Sequence, residues 1–195
     1  YFGAESGGPF WRQRAAAIGL PVILSSAESS PDSRGSANIG PFLAASHIAC
    51  SVPVLALGGS STVVRLNRVL VKGLNMYDRL PSSEDCSLFV TSCLAAIVKF
   101  LSACSRDVEE SISELVPTFL TILTRVGGDQ EANLSSCKLM ALQCLNHLRN
   151  VEGAYRIHKV EILRRLTVVV DDPSRKIRQE AARVRSGWLI SASVE

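Results

Sequence analysis

One stretch, Val170–Val194 (VDDPSRKIRQEAARVRSGWLISASV), constrains the fold more than any other part of the chain. Asp171, Asp172, Pro173 and Ser174 read as a turn that becomes a helix start. No helix continues through Pro173, and the Ser174 hydroxyl can accept N–H groups that a first helical turn leaves without partners. Ile177, Ala181, Val184 and Trp188 then recur at helical spacing as one apolar stripe, with Arg178 and Arg185 on one flank of it. Upstream, Ile157, Val160, Leu163, Leu166 and Val170 form a second stripe on Arg156–Val170. The pattern predicts two amphipathic helices joined by a short acidic turn. Such a pair cannot bury both stripes by itself, so a chain made of these pairs is stable only when they stack.

The same pattern recurs toward the N-terminus. Phe10–Ser26 predicts a helical segment bent or broken at Gly19–Pro21, and Asn38–Leu57 a second helix kinked near Pro53. Residues 28–37, with Pro and Gly among polar side chains, are expected to form a mobile loop. Gly58–Gly59 ends the second helix, and Ser61 or Thr62 caps the next, in which Val63, Leu66, Leu70, Leu74 and Tyr77 repeat before Pro81 closes it. Ser82–Asp85 supplies an acidic start for a helix carrying Val90, Leu94, Ile97, Leu101 and Cys104; it is apolar almost all round and expected to lie between neighbours.

Ile112, Val116, Phe119, Leu123 and Val126 mark the following helix, with Pro117 either kinking it or setting a late start. Gly127–Asp129 ends it and Gln130–Leu134 is a loop. Cys137, Ala141, Cys144, Leu145 and Leu148 carry another helix, up to a break at Asn150–Gly153. First helices start near residues 10, 62, 110 and 156, which gives repeats at 10–57, 62–104, 110–149 and 156–190. The fold class expected is therefore all-α, a single solenoid over residues 1–195 built from about four helical hairpins. A content of 47% hydrophobic but 6% aromatic residues suits stacked helices better than a β-sandwich. The first residue is Tyr1, and the chain reads as part of a longer protein.

Charge and chemistry narrow the function. The net charge is +3, yet residues 146–195 hold 10 Lys and Arg against 6 Asp and Glu, so electrostatic recognition is expected near the C-terminal end. Cys50, Cys86, Cys93, Cys104, Cys137 and Cys144 form no Cys-x-x-Cys pair, and none has a histidine at zinc-finger spacing. No metal or cofactor is expected, and the cysteines read as small apolar residues of a reduced, intracellular chain.

Gly58–Gly59 and Gly127–Gly128 lack the Gly-Lys-Ser/Thr ending of a nucleotide loop, and His47, His147 and His158 are scattered. No catalytic residue is assigned, and the chain is not expected to be an enzyme. Arg12 and Arg14 before Ala15–Leu24 have the order of a secretion signal, but Pro21 interrupts the run and a packed helix is expected instead. Ile39–Leu57, the one segment near membrane-spanning length, is broken by Pro41 and Pro53, so no membrane contact is expected. Arg175, Lys176, Arg178, Arg183 and Arg185 could line a phosphate backbone, but no aromatic residue lies among them; nucleic acid stays the lesser alternative.

Three segments resemble one family. Asp171–Asp172, Arg175, Ile177–Arg178, Glu180–Ala181, Arg185 and Trp188 are similar to the terminal repeat of the C-terminal HEAT region of the cytosolic iron–sulfur assembly targeting-complex scaffold, a family named for methyl methanesulfonate sensitivity and nucleotide excision repair. Ala141–Leu145 resembles the Ala-Leu-Gln-Cys segment of its preceding repeat, and Phe10–Arg14 its aromatic–x–Arg-Gln-Arg helix. Cys137–Lys138 stands where that family has Val–Arg, Ala15–Ala17 stand where it has aromatic residues, and the loop at residues 28–37 looks inserted.

The resemblance implies a right-handed HEAT solenoid in the cytoplasm and nucleus. It implies an adaptor that docks a WD40 propeller and a small cysteine-bearing subunit, so that clusters reach apoproteins such as DNA helicases and polymerases. The cluster would be handed over by the partner and not held by this chain. Arg175, Arg178, Glu180 and Arg185 are the candidate partner-binding residues, with Asp171, Asp172, Ile177, Ala181 and Trp188 holding them in place. For Arg178 a second role stays open, a bond to a neighbouring repeat's turn. A general HEAT adaptor is the alternative to the iron–sulfur assignment.

Overall fold

The computed structural model describes residues 9–30, 39–76, 84–103, 105–125 and 131–190. Among the described residues the chain forms nine α-helices and no strand: α1 (Pro9–Ser29), α2 (Gly40–Ser51), α3 (Ser60–Asn75), α4 (Glu84–Ala103), α5 (Ser105–Glu109), α6 (Ile112–Thr124), α7 (Glu131–Leu148), α8 (Glu152–Val169) and α9 (Arg175–Ile190). Helices α1 and α2, α3 and α4, α6 and α7, and α8 and α9 pack as hairpins. Along the array, α1, α3, α6 and α8 touch in succession, and so do α2, α4, α7 and α9. Four hairpins therefore stack in two rows, as the repeated stripes require, and α5 is a short helix packed against α3 and α4 that the sequence reading passed over.

The stripes on α3, α4, α6 and α7 are buried as expected. Val63, Leu66, Leu70 and Leu74 on α3, Val90, Leu94, Ile97 and Leu101 on α4, Ile112, Val116, Phe119 and Leu123 on α6, and Cys137, Ala141, Cys144, Leu145 and Leu148 on α7 all join one core. Helix α4 lies between α2 and α7 and also meets α3, which explains its apolar circumference. Its Cys86–Ala103 stretch, and not Ile39–Leu57, is the one described segment long and apolar enough by composition to cross a membrane; half of it is buried among neighbouring helices.

Several boundaries differ from expectation. Helix α1 runs unbroken through Pro21, and α6 through Pro117. In each case the carbonyl four residues earlier, on Ala17 or Ser113, belongs to an exposed residue, so water can take the bond that proline cannot donate. Pro53 ends α2 and does not kink it. Val52 before it is extended (φ −102°, ψ 133°), as a residue preceding proline prefers, and a 3-10 turn, Val54–Ala56, follows. Gly58 and Gly59 take positive φ, and α3 begins directly after them at Ser60, without a side-chain cap from Ser61 or Thr62. Glu131–Leu134 is the first turn of α7 and not loop, and Gly153 lies inside α8.

Of the loop expected at residues 28–37, Glu28 and Ser29 are helical, and the Glu28 carboxylate receives two bonds from Arg65, at 3.0 and 2.8 Å. Residues 31–37, Tyr77, Pro81–Ser83, Cys104 and Val126–Gln130 lie outside the described residues.

On α8 the stripe has a different phase. Its buried residues are Ala154, Ile162, Leu166 and Val169, whereas Ile157 and Val160 face solvent. Tyr155, His158 and Lys159 share the half-buried flank, so polar residues occupy part of the packed side and aliphatic residues part of the open one.

Two lysines tie consecutive hairpins. The Lys72 ammonium donates to the carbonyls of Ala27, Glu28 and Ser30 at the end of α1, and Lys99 to those of Ala49, Cys50 and Val52 at the end of α2. Each supplies positive charge and donors where a helix C-terminus lacks both. Close packing at Gly73 ties the same hairpins: a Cβ there would sit 2.9 Å from Phe89 Cζ and 3.1 Å from Phe42 Cδ1. Gly73→Ala is expected to lower stability by about 1–3 kcal/mol through overpacking, read as an earlier midpoint in urea.

Candidate docking surface of the last hairpin

The turn before α9 is held from three directions. Asp172 Oδ1 accepts the Ser174 N–H at 2.9 Å, and its Oδ2 accepts from the Lys138 ammonium of α7 at 2.7 Å. Arg178 donates to the carbonyls of Asp172 at 2.9 Å and Pro173 at 2.7 Å. Ser174 stands directly before the first helical residue, Arg175, and its carbonyl accepts the Arg178 N–H at 3.0 Å, while the Asp172 carboxylate takes the N–H of Ser174 itself. Both members of the Lys138–Asp172 pair are nearly enclosed, with side chains 12% and 8% exposed. Asp171 contributes only its backbone N–H, to Val168 O at 3.2 Å; its carboxylate is exposed and makes no bond among the described residues.

Ile177, Ala181, Val184 and Trp188 are buried as the stripe requires. Trp188 is the largest fully buried side chain among the described residues; its indole N–H donates to Leu145 O at 3.0 Å and its ring stacks on Tyr155, with centroids 5.7 Å apart. The Lys159 ammonium donates to the hydroxyl of Tyr155, the other member of that stack, at 2.5 Å and lies 4.6 Å from its ring centroid. The Arg149 guanidinium lies against Gly187, where any side chain would meet it. Trp188 therefore joins α9 to both α7 and α8.

The four candidate partner-binding residues do not converge. Arg178 is turned back onto the acidic turn of its own hairpin, not that of a neighbouring repeat. Glu180, on the opposite flank, is paired with Arg183, whose guanidinium bonds hold its carboxyl below the usual range. Arg185 is half-buried, and its Nε is enclosed without a hydrogen-bond partner. Arg175 alone among them is exposed and makes neither a side-chain hydrogen bond nor an ion pair among the described residues; Lys176 beside it is exposed as well. The residues that sequence reasoning missed are Lys138, Tyr155 and Lys159, and the open aliphatic side chains of α8. Lys138 did leave a signal, as a charge inside an apolar stripe.

Four of the described cysteines lie in the helix packing, whereas Cys50 on α2 is exposed. Cys86, Cys93, Cys137 and Cys144 are buried, and the thiols of Cys137 and Cys144 point at the Ser87 and Leu94 carbonyls of α4. Burial pushes the Cys137 thiol up to about 11 and raises those of Cys93 and Cys144 as well, which keeps them neutral where a metal ligand is a thiolate. Among the described residues, no three His, Cys, Asp or Glu side chains are grouped to hold a metal ion. His47, His147 and His158 lie on α2, α7 and α8, and His147 Nδ1 is 3.3 Å from Ser102 Oγ. The surface offers binding groups, with charge at the start of α9 and apolar area on α8. No family model, curated protein or solved structure matches the chain.

Proposed function

We propose that the chain is a non-catalytic docking scaffold, a right-handed solenoid of four HEAT-like hairpins that serves cytosolic iron–sulfur protein assembly in the cytoplasm and nucleus. It would hold a WD40 propeller and a small cysteine-bearing subunit while apoproteins, including DNA repair and replication enzymes, receive clusters from that partner. The observation that carries the scaffold reading is the α8–α9 hairpin. It is locked to α7 by Lys138–Asp172 and Trp188–Leu145, and it still presents basic and aliphatic side chains outward. A rigid support with exposed side chains on its outer surface is what docking needs, since little freedom is then lost on binding.

The iron–sulfur assignment rests on the resemblance of three segments, which fall on α1, on α7, and on the turn and helix of α9. Ala141, Leu142, Cys144, Leu145, Ile177, Ala181 and Trp188 among them are core residues, so their match speaks for the repeat architecture. Arg175 speaks for the partners.

Co-purification tests the reading directly. The native chain is expected to retain the propeller and the cysteine-bearing subunit. An Arg175→Glu, Lys176→Glu variant of unchanged helicity is expected to retain about tenfold less, a loss of ~1.4 kcal/mol. Arg178 is unsuited to this test because its guanidinium holds the turn. Retention of neither subunit by the native chain would leave a general HEAT adaptor.

A further inference from the structure

Helix α8 is apolar on two opposite sides. Ala154, Ile162, Leu166 and Val169 face the core, whereas Ile157, Val160 and Val168 are 75%, 80% and 66% exposed. At 100° per residue, positions 157, 160, 164 and 168 fall within about 80° of one another on the side away from Ile162 and Leu166, with the aliphatic stem of Arg164 between Val160 and Val168. The strip is about three helical turns long, roughly 16 Å. Single exposed aliphatic residues are ordinary, but a continuous strip of them rimmed by charge marks a contact surface.

The rim is basic. Arg156, Arg164 and Arg165 are exposed beside the strip, and Arg164 and Arg165 both engage the Glu161 carboxylate at 3.0 Å, which leaves that cluster one positive charge in excess. Arg175 and Lys176 add two more exposed cations at the start of α9. We propose that the outer strip of α8 docks an acidic amphipathic helix of a partner protein, its aliphatic side chains on Ile157, Val160 and Val168 and its carboxylates on the arginine rim. The proposal rests on the scaffold reading and names the chemistry of one docked partner.

Three features select that occupant. β-Branched Ile and Val are stiff at χ1 and lose little freedom as packing knobs, and their spacing matches the ridges of one helix laid along another. The strip carries no aromatic residue on which a base could stack, and its centre is aliphatic where a phosphate track needs cations. A second copy is not complementary: the strip laid on its own copy sets arginine against arginine, and α1, at the other end of the array, exposes Ile18 and Val22 beside Arg14.

The test uses the whole chain and a labelled synthetic peptide of about five helical turns, with Leu at helical spacing and Glu elsewhere, followed by fluorescence anisotropy. Saturable binding is expected that weakens as salt rises. Ile157→Ser, Val160→Ser should weaken it about tenfold without loss of helicity, because both side chains are exposed. Arg156→Glu, Arg164→Glu should weaken the Glu peptide and favour its Lys counterpart. Equal binding by the serine variant, or by a scrambled peptide, would overturn the proposal. So would self-association that the serine variant abolishes, or binding to phosphatidylserine vesicles with none to the peptide. If the peptide fails while the native chain still retains its two subunits, the scaffold reading stands and this one falls.

Discussion

Trp188→Ala is expected to detach the last helix from the array. The indole is fully buried, stacks on Tyr155 of α8 and donates to Leu145 O of α7, so its removal empties a site shared by three helices. Large-to-small changes of this kind cost about 3–5 kcal/mol, a large part of the 5–15 kcal/mol that keeps a typical domain folded. In a stacked array each hairpin depends on its neighbours alone, so the loss should be local. The expected signature in urea is an early transition of partial amplitude in circular dichroism, with the remaining helices melting near the native midpoint. Trp188→Phe keeps most of the ring and loses the N–H bond, and should cost about 1–2 kcal/mol. An unchanged midpoint for the alanine variant would mean that α9 is not seated on α7 and α8 in solution.

The legibility of this fold follows from where polar residues sit. On α4 and α7 the buried positions are uniformly apolar, and on α6 all but Thr118 are; they recur every three or four residues, so the packed side could be read from spacing alone. On α8 two aliphatic series coexist, Ile157–Val160 and Ile162–Leu166–Val169, and periodicity cannot say which one meets a neighbour. The core side is also disguised by Tyr155, which is there because Trp188 stacks on it from another helix. Pro21 and Pro117 misled for a related reason. Whether proline breaks a helix depends on whether the carbonyl it orphans faces water, and that is a tertiary fact.

The candidate site was less legible than the fold. Arg178 and Glu180 look like free surface charge in sequence, but Arg178 finds the carbonyls of its own turn and Glu180 finds Arg183 one turn on. Asp172 accepts the Ser174 N–H within its own turn. Its counter-ion lies on α7, 34 residues earlier in the chain, and no local pattern connects the two.

That counter-ion carries the second large effect expected. Lys138→Met removes the positive partner of a carboxylate that is 8% exposed, and breaking one side of a buried pair typically costs about 3–5 kcal/mol. Asp172→Asn should cost less, because an amide oxygen can still accept the Ser174 N–H and the Lys138 stem can move its charge toward water. In the double variant neither charge remains uncompensated. The two losses should therefore fall short of adding by about 1–3 kcal/mol in a double-mutant cycle. Strict additivity of the three midpoints would show that the ions do not depend on each other. The pair crosses from α7 to the α8–α9 turn and so helps set how the last hairpin leans on the one before. Lys138→Met should accordingly weaken docking on the α8 strip without altering any residue of that strip, whereas the double variant should recover part of it. Parallel loss and recovery of stability and docking would tie the orientation of the surface to this one ion pair.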